Sequence, residues 1–83
     1  MNIERAYTLI KLGMVYQKEK RREENCLRKN RESKAFCERI GSDYGVGLYA
    51  WYISQNLYQL QLLEERYLKA KAANLAATEG AKQ

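Results

Sequence analysis

Apolar residues recur at three-four spacing along much of the chain, and in the second half they do so on two sides of one helix. Projected at about 100° per residue, Gly45 to Leu75 carries a stripe of Val46, Ala50, Ile53, Leu57, Leu60, Tyr67, Leu68 and Leu75. The opposite side carries Leu48, Trp51, Tyr58 and Leu62, with Tyr52 beside it. A helix in a two-helix hairpin hides one stripe only. The second stripe therefore predicts a further contact, with another copy of the chain or with a different protein.

Residues 2 to about 40 read as one long helix, either continuous or with a bend or break. Its first part, Ile3 to Tyr16, is apolar nearly all round, with Leu9, Leu12 and Tyr16 on one side and Ile3, Tyr7, Ile10 and Met14 on another. Gln17 to Lys34 is mostly charged, and Ala35, Phe36, Cys37 and Ile40 restore apolar character before the turn. Within the charged part Cys26, Asn30, Ser33, Cys37 and Ile40 fall within about 40° of one line. Most of them are small, which predicts that they face the large residues Tyr49, Trp51, Tyr52 and Ile53 across the turn.

The reversal falls on Gly41-Ser42-Asp43-Tyr44-Gly45-Val46-Gly47. Gly41 suits the left-handed position that ends a helix, and Ser42 or Asp43 suits the cap of the next. A short connection between long helices makes them antiparallel neighbours. The pattern predicts one all-α domain over 1–83: an antiparallel, coiled-coil-like helical hairpin, completed by self-association or a partner. Its expected bounds are a helix at about 2–40, a turn at 41–47, a helix at about 46–77 and a frayed tail at 78–83.

Composition agrees with long helices, because the chain has no proline and only five glycines in 83 residues. That size leaves a single core little stability to spare, which again favours association. No run approaches the ~20 apolar residues of a membrane span. The start, with Glu4 close behind Met1, does not read as a secretory signal. A cytoplasmic protein, of a cell or of a virus-infected host, is the expectation.

The net charge of +5 permits nucleic acid, an anionic membrane or an acidic protein as partner. On a straight helix Lys20, Arg21, Arg28, Arg31 and Arg39 lie together, a candidate phosphate-tracking stripe. Glu19, Glu23, Glu24 and Glu32 interleave with them, and Glu24–Arg28, Arg28–Glu32 and Lys34–Glu38 are four apart. That ladder supports a solvated face rather than a phosphate site. The tyrosines lie mainly on the second helix, away from the arginines, and suit packing or protein contact better than base stacking. The amphipathic start, Ile3 to Met14, fits burial or protein contact better than a membrane surface, because Leu9, Leu12 and Tyr16 give it a second apolar side.

Catalytic and cofactor signatures are missing: no histidine, no phosphate loop, and adjacent Glu64-Glu65 that point to different sides of a helix. Two cysteines without histidine do not make a zinc site. Cys26 and Cys37 stand about 16 Å apart along one helix, so they are expected as two buried thiols on a shared face, not a disulfide. The expected function is a non-enzymatic protein-interaction module (an inhibitor, adaptor or assembly subunit), with neither metal nor cofactor. Its interface is expected at Leu48, Trp51, Tyr52, Tyr58 and Leu62, extended by Ile3, Ile10 and Met14. The alternative is a basic helical nucleic-acid binder of weak sequence preference.

Overall fold

A computed structural model of the protein describes residues 3–81, with side chains through residue 76. Two helices, α1 (Ile3–Ile40) and α2 (Asp43–Ala81), pack against each other as an antiparallel hairpin, 64 × 15 × 10 Å across the Cα atoms. The first helix runs unbroken through its charged middle. The second begins at Asp43 rather than near residue 46, and continues to Ala81, beyond the expected end at Ala77. Asn2 of the expected helix and Lys82 and Gln83 of the expected tail lie outside the described residues.

The turn is two residues long instead of seven, because its parts do double duty. Gly41 adopts φ 73°, the left-handed conformation that costs glycine nothing. Its N–H donates to the Glu38 carbonyl at 3.3 Å, and the Ser42 N–H donates to the Cys37 carbonyl at 2.9 Å. This pair of bonds satisfies two of the last four carbonyls of α1. Ser42 then caps α2: its Oγ accepts from the Gly45 N–H at 3.2 Å and its carbonyl accepts from the Val46 N–H at 3.0 Å. Asp43 adds negative charge to the first turn, where the helix dipole favours it.

The contact between helices follows a strict heptad. On α1 the half-buried or buried positions include Leu9, Gly13, Tyr16, Lys20, Glu23, Leu27, Asn30, Lys34 and Cys37, each three or four after the last. On α2 they include Val46, Tyr49, Ile53, Asn56, Leu60, Leu63, Tyr67, Ala70 and Asn74. This is the 3.5-residue repeat of coiled helices. A straight 3.6-residue projection drifts about 20° per heptad from it. That drift explains why Ala50, Leu57, Leu68 and Leu75, expected in the inner stripe, are exposed. Val46, Ile53, Leu60 and Tyr67 of that stripe do face α1.

The same drift corrects the small-residue line of α1. Asn30 and Cys37 lie in the seam with Ser33 half-buried beside it, but Cys26 and Ile40 are exposed. The two cysteines therefore occupy different environments, Cys37 buried and Cys26 not, and both are free thiols. Nor does the seam match small with large. Near the turn Cys37 meets Gly45, where an added Cβ would overlap the Cys37 Sγ. Toward the open end Tyr16 stacks on Tyr67, ring centroids 4.5 Å apart and planes within 9°. Like meets like: two small residues abut beside the turn, and two rings stack toward the open end.

The core is thin. Leu27 and Cys37 are the buried hydrophobic residues among those described, and no described side chain is fully buried. A polar network brackets Leu27, with Glu23 and Asn30 one turn to either side of it on α1 and Asn56 across from it on α2. Asn30 Nδ2 donates to Asn56 Oδ1 at 2.7 Å, and Asn56 Nδ2 donates to Glu23 Oε2 at 3.0 Å. Such a layer fixes register, since sliding either helix leaves half-buried amides without partners. Lys20 stays in the seam by laying its ammonium over the Tyr16 ring, 5.8 Å from the centroid.

Candidate interaction surface

With one face of α2 turned to α1, the opposite face is left to solvent. Seven-residue steps place Tyr44, Trp51 and Tyr58 in one line there, 81%, 57% and 55% exposed. Leu48 and Leu62, both half-buried, flank the line on one side. Tyr52 turns from that line toward the seam. Its ring meets Trp51 edge-on at 5.4 Å and Tyr49 at 5.9 Å, so an aromatic cluster wraps from the seam to the outside. Ser54 Oγ donates to the Trp51 carbonyl at 2.7 Å, tying the polar side chain to its own helix.

From Tyr44 to Leu63 no residue carries a charge. The surface is therefore apolar and aromatic with glutamine and asparagine between, the composition of a contact core rather than of a solvated face. No helix is long and apolar enough to cross a membrane, among the described residues. Tyr44 was missed by the sequence reading, which assigned it to the turn. The signal was its seven-residue spacing from Trp51 and Tyr58, visible only once α2 is known to start at Asp43.

The N-terminal candidates stand elsewhere. Ile3, Ile10 and Met14 are exposed, with Tyr7 among them, but they sit at the open end of the hairpin. The Tyr16–Tyr67 stack fixes the level of Met14 near residue 69, about 27 Å along the axis from Trp51. The structure does not join them to the α2 line.

The basic candidates spread around α1. Arg21, Arg28, Arg31 and Arg39 are exposed, whereas Lys20 is half-buried in the seam. Arg28 pairs with Glu32 at 3.1 Å, Lys34 with Glu38 at 3.6 Å, and the Arg39 guanidinium lies 5.9 Å over the Phe36 ring. A separate open groove of about 800 Å³ runs along α1 between Ile10, Met14, Lys18, Arg21, Arg22 and Asn25, joining apolar to basic residues. Among the described residues no group of three metal-ligating side chains converges.

No protein-family model, curated protein or solved structure matches the chain.

Proposed function

We propose that this hairpin is a non-enzymatic interaction module that acts by occupying another protein surface through the outer face of α2. The observation that carries the reading is the exposed line Tyr44, Trp51 and Tyr58 with Leu48 and Leu62 beside it, inside twenty consecutive uncharged residues. Aromatic residues of this kind anchor protein contacts because they bury much area at low entropic cost. The hairpin holds them on a rigid helix.

Replacing Tyr58 by a photoreactive benzoylphenylalanine tests this in the cells that make the protein. Irradiation is expected to give one discrete cross-linked protein species, suppressed by Leu62→Glu. A folded variant that yields no discrete species overturns the reading.

A second reading, binding of nucleic acid through α1, is favoured by one observation. The α1 sequence carries eleven Lys and Arg against six acidic residues, whereas α2 has three against four. Lys18, Arg21 and Arg22 line one groove together. Affinity for mixed-sequence DNA or RNA that falls steeply between 50 and 200 mM salt, as phosphate contacts require, would support this reading. Salt-independent or absent binding removes it.

A further inference from the structure

We propose that the open end of the hairpin docks on an anionic lipid surface, laying one edge of both helices into the headgroup region. This edge is separate from the outer α2 line, and three observations carry the proposal.

The first is that both helices contribute to the edge. Glu24 of α1 and Gln61 and Glu64 of α2 line one groove between the helices. Steps of seven residues along the supercoil stay on that edge. Two and three such steps back from Glu24 reach Ile10 and Ile3, and steps onward from Gln61 reach Leu68 and Leu75. Tyr7 and Met14 stand beside the isoleucines, and Met14 shares a groove with Ile10. All six are exposed, from Ile3 at 86% to Leu75 at 38%. The other apolar side of this part of α1, Leu9, Leu12 and Tyr16, lies in or beside the seam. Packing against α2 therefore uses that side and leaves Ile3 to Met14 over.

The second is charge. Between Glu4 and Glu19 of α1, and between Glu65 and Glu79 of α2, stand six lysines and arginines and no acid. The Tyr16–Tyr67 stack sets these two stretches side by side. Lys18 lines the groove with Ile10 and Met14, and Lys11 Nζ lies 5.6 Å over the Tyr7 ring. Lys71 falls one seven-residue step beyond Glu64, between Leu68 and Leu75. Their long stems let the ammonium groups reach lipid phosphates while the apolar neighbours sit deeper. Each cation held near an anionic leaflet is worth about fivefold in affinity. Acids flank the patch only at the tip, Glu4, and toward the middle, Glu24 and Glu64.

The third is the kind of apolar residue. Five of the six are aliphatic or methionine, whereas the outer α2 line presents the aromatics that anchor protein contacts. No asparagine, glutamine, serine or threonine stands among them on this edge to match a protein partner's hydrogen bonds. Nucleic acid would take the cations and leave the aliphatic chains in water. A bilayer surface takes both, apolar chains at the acyl boundary and ammonium groups among the headgroups.

Purified chain is expected to co-sediment with phosphatidylcholine vesicles holding about 30% phosphatidylserine, not with pure phosphatidylcholine, and to be released by high salt. Ile10→Glu, exposed and outside the seam, is expected to weaken binding at least about tenfold with helicity unchanged. Lys11→Gln and Lys18→Gln together are expected to weaken it about 25-fold. Tyr58→Ser, on the outer α2 face, is expected to leave it unchanged. Trp51 is the only tryptophan, and its emission is expected to stay put on the vesicles. With Trp51→Phe, Ile10→Trp is expected to shift to the blue on binding. Absence of binding, equal binding to neutral vesicles, full affinity in Ile10→Glu or a blue shift of Trp51 itself overturns the proposal. So does a chain that ignores vesicles but binds RNA, weakened by the lysine changes and not by Ile10→Glu, since the cations then serve nucleic acid.

Discussion

The two helices share one seam and differ in what their facing middles turn away from it. Through the middle of α1, from Gln17 to Lys34, the outward surface is charged, with Arg28–Glu32 and Lys34–Glu38 paired along it. On α2 it is uncharged from Tyr44 to Leu63 and studded with aromatics. Yet the best-buried leucine, Leu27 at 8% exposure, belongs to the charged helix. The lesson is that hydrophobic content and burial separate in a two-helix fold. Only one face of each helix has a neighbour, so both hold more large apolar residues than the seam can hide: Ile3, Ile10 and Met14 stay exposed on α1 as Trp51, Leu57 and Tyr58 do on α2.

The Cys37–Gly45 contact is the sharpest place to break this arrangement. Gly45→Val is expected to destabilise the hairpin by about 3 kcal/mol in urea unfolding, because its side chain must occupy the space of Cys37. Gly47→Ala, two residues on with open space around it, is expected to stabilise by up to about 1 kcal/mol as alanine improves the helix. Equal effects at the two positions would show that the helices are not in contact at the turn.

Leucine truncation compares the helices directly. Leu27→Ala is expected to cost about 2–3 kcal/mol and Leu57→Ala less than about 1 kcal/mol, despite the more apolar surroundings of Leu57 in sequence. A reversed order in chemical denaturation would break the assigned seam. Next in size, Asn56→Ala is expected to cost about 1–2 kcal/mol, since it strips partners from both Asn30 and Glu23. If Asn30→Ala added to it is fully additive, the polar layer is not a unit. The smallest effect belongs to the surface of α1: Glu32→Ala is expected to change stability by only a few tenths of a kcal/mol, lost in high salt.

Much of the fold was legible in the residues. Absence of proline, the apolar spacing and Gly41-Ser42 suffice for two long antiparallel helices. The outer positions of Trp51 and Tyr58 were legible too, since they lie far enough from any inner stripe that a drift of tens of degrees leaves them outside. Cys26 sits at the edge of the seam, and Leu68 and Leu75 come late enough along α2 that the accumulated drift carries them outside. Lys20 was read as part of a basic stripe, while its long stem lets it lie in the seam over Tyr16. The length of the turn was overestimated because Gly45 and Gly47 look like loop residues until a partner helix explains Gly45.

Local chemistry, then, was enough for what depends on a few neighbouring residues: helix, reversal, cap and the presence of an apolar surplus on the second helix. Which residues meet was decided by tertiary structure alone. Supercoiling changes the repeat from 3.6 to 3.5 residues, and that small change accumulates over nearly forty residues into a different set of inward positions. The fit of Cys37 to Gly45, of Asn30 to Asn56 and of Tyr16 to Tyr67 exists only between helices, and register is a property of the pair.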